Sequence, residues 1–211
     1  MDRRELLKLV AALTGGAVVG GEFFLSGCTT GAKTDAGFTA SNIALLDEIG
    51  ETIIPATTIP GAKAAQVGEL MKVMITDCYT EAEQNAFTSG MNSLEEACKK
   101  ANEKSFMDCT SQQRHVFLVT LEKEAKEYNK KRDETNKTRK EAHDKANKDL
   151  PWKDQKEFAW NPPHYYTMMK QLTLSGYFSS KIGATQALRY MPVPGRYDGN
   201  YPYKKGDKAW S

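Results

Sequence analysis

The chain has 211 residues, 40% hydrophobic and 27% charged, with 29 basic against 27 acidic side chains and a net charge of +2. That length suits a single domain with a real core. So even a balance of charge excludes nucleic acid as a partner, because phosphate binding needs a coherent basic face.

The first residues read as an address followed by an attachment point. Arg3 and Arg4, with Leu6, Leu7 and Lys8 behind them and an apolar run from Leu9 to Gly21, match the twin-arginine export pattern, a route for folded proteins. Leu25-Ser26-Gly27-Cys28 resembles a bacterial lipobox, in which small residues admit a peptidase and the cysteine thiol is acylated. The expectation is a signal peptide over 1–27, a lipid on Cys28 and a polar tether over 28–40, which places the protein on the periplasmic side of a bacterial membrane without spanning it.

Beyond the tether, residues 41–211 are read as one all-α domain, an irregular bundle of about five helices. Ser41 or Thr39 can cap a first helix with Ile43, Leu45, Leu46, Ile49 and Ile53 on one face, ended by Ile54-Pro55. A proline and glycine loop over Pro55–Ala65 leads to a second helix whose stripe is Val67, Leu70, Met71, Met74, Ile75 and Cys78. Thr80 with Glu83 and Thr110 with Gln113 are capping-box pairs that open two more helices. The inward faces expected are Phe87, Met91, Leu94 and Cys98 in one, and Val116, Phe117, Leu121 and Ala125 in the other.

Residues 122–157 form an arm saturated with alternating charge and without an apolar stripe. It is read either as a protruding extension of the fourth helix or as a loop, and either as a solvated spacer or as a docking arm. Asn161-Pro162-Pro163 is expected to start the last helix, with Tyr165, Met168, Met169, Leu172 and Phe178 on its apolar side. After it comes a tail rich in proline, glycine and aromatic residues. No long helix or central strand is possible there, and it serves equally as a packing surface or an interface.

If Cys28 carries lipid, three thiols remain, an odd number. Cys98 and Cys109 are the best intramolecular pair, closing a short loop at a gain of ~3 kcal/mol, and Cys78 is read as a buried free thiol. No CxxC or Cys/His cluster suggests a metal, and His115, His143 and His164 lie in three separate segments. No Gly-rich nucleotide motif and no nucleophile elbow is present, so no catalytic residue and no cofactor are assigned to this chain.

Four stretches carry a resemblance. The Tyr177-Phe178-Ser179-Ser180 turn, the run from Gly183 to Tyr190 and the Pro194-Gly195-Arg196-Tyr197 exit resemble the gluconate 2-dehydrogenase subunit 3 family, as does the proline loop after the first helix. The resemblance implies a non-catalytic small subunit that accompanies an FAD-containing dehydrogenase of the glucose-methanol-choline type, with a cytochrome c subunit as electron acceptor in some complexes. In such systems the small subunit carries the export signal for both. Aromatic and arginine side chains dominate interfaces, so contact with the flavoprotein is assigned to Tyr177, Phe178, Arg189, Tyr190, Arg196 and Tyr197. A different class of function, a free-standing surface lipoprotein that binds carbohydrate, would use the same aromatic side chains as stacking platforms.

Overall fold

The computed structural model describes residues 38–210 apart from Pro194. Arg3, Arg4, Cys28, the signal segment and most of the tether lie outside the described residues. The fold is all-α, with five helices of two turns or more among the described residues: α1 (Ala40–Ile53), α2 (Val67–Cys78), α3 (Glu81–Asn102), α4 (Ser111–Asn147) and α5 (Tyr165–Ser179). No described helix is long and apolar enough to cross a membrane.

The helix starts follow the local chemistry. Thr39 caps α1, its side chain accepting from the N–H of Asn42 at 3.3 Å, and both capping boxes form, at Thr80/Glu83 and at Thr110/Gln113. Helix α1 ends at the proline loop, which Glu51 staples back by accepting the N–H groups of Ala56 at 2.7 Å and Lys63 at 2.9 Å. Helices α1 and α2 approach closely through two glycines. A Cβ on Gly50 would lie 2.6 Å from Val67 Cγ2, and one on Gly68 would lie 2.6 Å from the carbonyl oxygen of Ile43. Gly68 also donates its N–H to Asp47 at 2.8 Å, which locks the register of the pair.

Helix α5 runs through the middle and touches each of the other four. Its buried residues Tyr166, Met168, Met169, Leu172, Thr173 and Tyr177 point in several directions, as a helix surrounded by others requires. Around it lie Leu46, Ile49, Met71, Ile75, Phe87, Leu94 and Phe106, all fully buried. Each such side chain contributes roughly 1.5–3 kcal/mol through removal from water.

Several expected inward positions differ. Phe87, Met91, Leu94 and Cys98 are all buried in α3, but in α4 Val116 is exposed and Leu118, Leu121 and Ala125 face inward. The stripe starts two residues later because Phe117 is only half-buried against Phe106. Cys78 is exposed, at the last turn of α2 beyond the part of the stripe that its neighbours cover; Leu70 and Met74 are half-buried. Helix α5 begins at Tyr165, after Pro162-Pro163 instead of around them, because the His164 ring takes the cap and Nδ1 accepts from the N–H of Tyr166 at 3.2 Å. Phe178 is exposed, since its neighbour Tyr177 takes the inward place.

The charged arm is helix. Helix α4 continues unbroken to Asn147, and after a short turn at Trp152–Asp154 the chain returns along it without regular secondary structure to His164. Three asparagines hold the returning segment by its main chain. Asn147 donates to the carbonyl of Lys156 at 2.8 Å and accepts its N–H at 3.4 Å. Asn136 does the same for Asn161, at 3.4 and 3.2 Å, and Asn129 accepts the N–H of His164 at 2.9 Å while donating to Thr167 at 2.8 Å. Asn136 is buried although no apolar stripe accompanies it.

Candidate functional site

The tail is built from the end of α5. Ser180 closes the helix, its hydroxyl donating to Tyr177 O at 2.6 Å and accepting the N–H of Gly183 at 3.0 Å. Gly183 then packs so tightly on the helix end that a Cβ would lie 1.9 Å from the Tyr177 carbonyl oxygen, so glycine alone fits. A wide turn over Gly183–Ala187 follows, closed by Leu188 N–H donating to Gly183 O at 2.9 Å.

From Leu188 onwards one residue fastens the rest. Arg189 donates its main-chain N–H to Ala209 O at 2.8 Å, stacks its guanidinium 4.6 Å above the Trp210 ring and 5.7 Å from the Tyr201 ring, and donates from Nη1 to the Tyr201 hydroxyl at 3.2 Å. Lys208 adds a bond to the carbonyl of Gln186. Between these ties the chain loops outward and leaves Tyr190, Met191, Val193, Tyr197 and Tyr203 exposed, Tyr197 at 96%. These large apolar side chains stand uncovered on an otherwise solvated segment.

The six residues assigned to a partner interface therefore separate. Tyr190, Arg196, Tyr197 and Phe178 lie on the surface, and Arg196 pairs with Asp198 at 3.9 Å. Tyr177 is 3% exposed and its hydroxyl donates to Pro60 O at 2.8 Å, so it locks the proline loop onto α5 and presents no face to a partner. Arg189 is the internal clamp just described. Beside it runs a groove of about 440 Å³ lined by Tyr201, Tyr203, Asp207, Lys208 and Trp210.

A polar corner at the opposite end of the sequence was not anticipated. Glu48 of α1 accepts from Lys63 at 2.8 Å and from Arg114, whose Nε and Nη2 also donate to Phe106 O at 2.9 Å and Met107 O at 2.7 Å. Burial alone would raise the Glu48 carboxyl, but the Lys63 hydrogen bond and the Arg114 charge outweigh it and hold the group below its usual range. The cleft beside this corner, about 390 Å³, is lined by Glu51, Pro55, Gln112 and His115. Its central charges, Glu48, Lys63 and Arg114, are mutually satisfied, an arrangement that joins α1, the proline loop and α4.

Chemistry is equally spare elsewhere. His115 is exposed, His143 rests edge-on against Phe158 at 5.3 Å, and His164 is a helix cap, so the three histidines do not meet. No group of three His, Cys, Asp or Glu side chains among the described residues could hold a metal ion. Cys98 and Cys109 do meet, with their sulfurs 3.7 Å apart in the core. No curated protein and no solved structure matches the chain. The family model described as gluconate 2-dehydrogenase subunit 3 matches residues 40–195, which takes in all five helices, the proline loop and the first part of the exposed tail. The chain belongs to the gluconate 2-dehydrogenase subunit 3 family.

Proposed function

We propose that this chain is the non-catalytic small subunit of a periplasmic, FAD-dependent sugar dehydrogenase complex of the glucose-methanol-choline type. It supports the export, maturation and membrane attachment of the catalytic flavoprotein. Family membership supports a subunit of a gluconate 2-dehydrogenase-like complex. The observation that carries the role is the tail: a fully formed helical core ends in a segment whose Tyr190, Met191, Val193 and Tyr197 are uncovered. Burying aromatic anchors of this kind, with a flanking arginine such as Arg196, is how an interface of standard size gains most of its binding energy. The flavin belongs to the partner, with a cytochrome c subunit as a candidate electron acceptor, and the lipid on Cys28 would keep the assembly at the membrane.

Purification from the native membrane in mild detergent tests this. The expected result is a stoichiometric flavoprotein with a reducible flavin spectrum, lost from the eluate when Tyr190 and Tyr197 are changed to serine, and not exported when Arg3 and Arg4 become lysines. Recovery of the protein alone and colourless, with the flavoprotein exported normally in its absence, would overturn the proposal.

A second reading, a carbohydrate-binding surface lipoprotein, draws on the groove lined by Tyr201, Tyr203, Asp207 and Trp210. Arg189 already occupies part of the Trp210 ring, which leaves less aromatic surface for a sugar to stack on. Calorimetric titration of the isolated chain with mono- and disaccharides separates the two readings.

A further inference from the structure

The thiols of Cys98 and Cys109 lie 3.7 Å apart, at 0% and 5% exposure, where the end of α3 meets the start of α4. Their neighbours offer nothing else for sulfur to do. Asn102 donates weakly to Cys98 at 3.7 Å, no metal-binding group of three forms among the described residues, and neither sulfur opens to a site where a substrate could be attacked. Bond formation needs the sulfurs to close to about 2.05 Å. The turn that separates them places Glu103 in a left-handed conformation and carries a short helical turn at Phe106–Asp108, and it brings both sulfurs to one point.

We infer that Cys98 and Cys109 are a redox site that closes into a disulfide by exchange with a thiol oxidant of the disulfide class, fixing the corner between α3 and α4. Cys109, the less enclosed of the two, attacks first. Its thiolate bonds to one sulfur of the oxidant and expels the other as a thiolate. The Cys98 thiolate then attacks Cys109 Sγ and expels the second. Two cysteine thiols are oxidised to one cystine, the oxidant is reduced to two thiols, and those take up the two protons. Both sulfurs are buried, so the exchange starts only from a local opening of the turn that admits the oxidant to Cys109; burial also raises the Cys98 thiol above its ordinary range, and closure is slow in the folded protein. The bridge would hold the Phe106 and Met107 carbonyls that anchor Arg114, and with it the Glu48 corner. The third thiol in the described residues, Cys78, lies exposed on α2 and takes no part.

The inference borrows from the proposed function only the oxidising compartment. Purified, reduced full-length protein is therefore incubated with oxidised glutathione, denatured, alkylated with N-ethylmaleimide and mapped by peptide mass spectrometry. The expected product has Cys78 alkylated, Cys98 and Cys109 in one crosslinked peptide pair two hydrogens lighter than the reduced peptides, and a Tm raised by roughly 6–12 °C. The shift persists in Cys78→Ser and is absent in Cys98→Ser and in Cys109→Ser. Full alkylation of Cys98 and Cys109 after prolonged oxidation, or a glutathione adduct on Cys109 that never resolves, would overturn it. Protein taken from the native envelope in the dithiol state, while the purified chain closes the bridge, would sink the export reading and leave the site standing.

Discussion

Asn136 is the member of the α4 arm whose removal says most about how the arm is built. It is buried, and its side chain makes two hydrogen bonds to the main chain of Asn161, at 3.4 and 3.2 Å. Arg139 steadies the pair by donating to Asn136 Oδ1 at 3.4 Å and to Asn161 Oδ1 at 2.6 Å. Asn136→Ala removes both main-chain bonds, each worth ~1 kcal/mol net, while alanine returns about 0.5 kcal/mol in helix propensity. The balance is roughly 1.5 kcal/mol against docking of the return segment, close to tenfold in its opening equilibrium. The effect is local, because the core around α5 is untouched. Amide hydrogen exchange followed by NMR should therefore show Asn161 exchanging about tenfold faster, with the amides of Met91 and Leu94 in α3 unchanged. An unchanged rate at Asn161 would refute the claim that asparagine side chains hold this segment to the helix.

Four further outcomes follow from the core and the corner. Gly90→Ala would put a Cβ 2.3 Å from Tyr165 Cβ, an atom fixed to the α5 backbone, and should lower stability to urea by about 1–3 kcal/mol. His164→Ala should cost ~1 kcal/mol as a lost cap, whereas His164→Asn keeps an acceptor and should cost less. Burial lowers the His164 pKa below its ordinary value of 6.5, so on acidification through that value the unfolded chain takes up a proton that the folded chain refuses. Stability should therefore fall below pH 6.5 in the native protein, and this part of the slope should vanish in His164→Asn, as read from urea midpoints between pH 5 and 8. Glu48 has the opposite history but the same sign: its depressed carboxyl stabilises the fold above the ordinary value of 4.5 and loses that contribution as pH falls through the folded value. Glu48→Gln should be less stable than the native protein at pH 7, with a gap that narrows towards pH 3.

Where the sequence can be read, one signal dominates: apolar side chains at helical spacing behind a recognisable cap. Phe87, Met91, Leu94 and Cys98 behind the Thr80/Glu83 box are the clear case, and every one is buried. The arm defeats that reading because its ordering groups are polar. Asn136 and Asn147 lie seven and eighteen residues after Asn129, which at about 100° per residue brings the three within about 20° of one line along α4. A search for apolar periodicity passes over such a stripe. Helix α5 fails for another reason. It is surrounded, so periodicity does not choose between adjacent Tyr177 and Phe178; the choice falls to the Tyr177 hydroxyl, which reaches Pro60 O, a partner 117 residues away in sequence.

The tail joins both lessons. Its prolines and glycines exclude long helices, and the exposed aromatic side chains follow from that, but the role of Arg189 depends on Tyr201, Ala209 and Trp210, which only the fold brings to it. Side chains with two jobs divide accordingly: Tyr177 and Arg189 hold structure, and Tyr190, Arg196 and Tyr197 have no such task. Replacing Tyr197, at 96% exposure, removes no buried contact, so the fold has no energetic use for that ring. Covering Tyr190, Met191, Val193 and Tyr197 would release free energy that the packing of the described residues leaves unused.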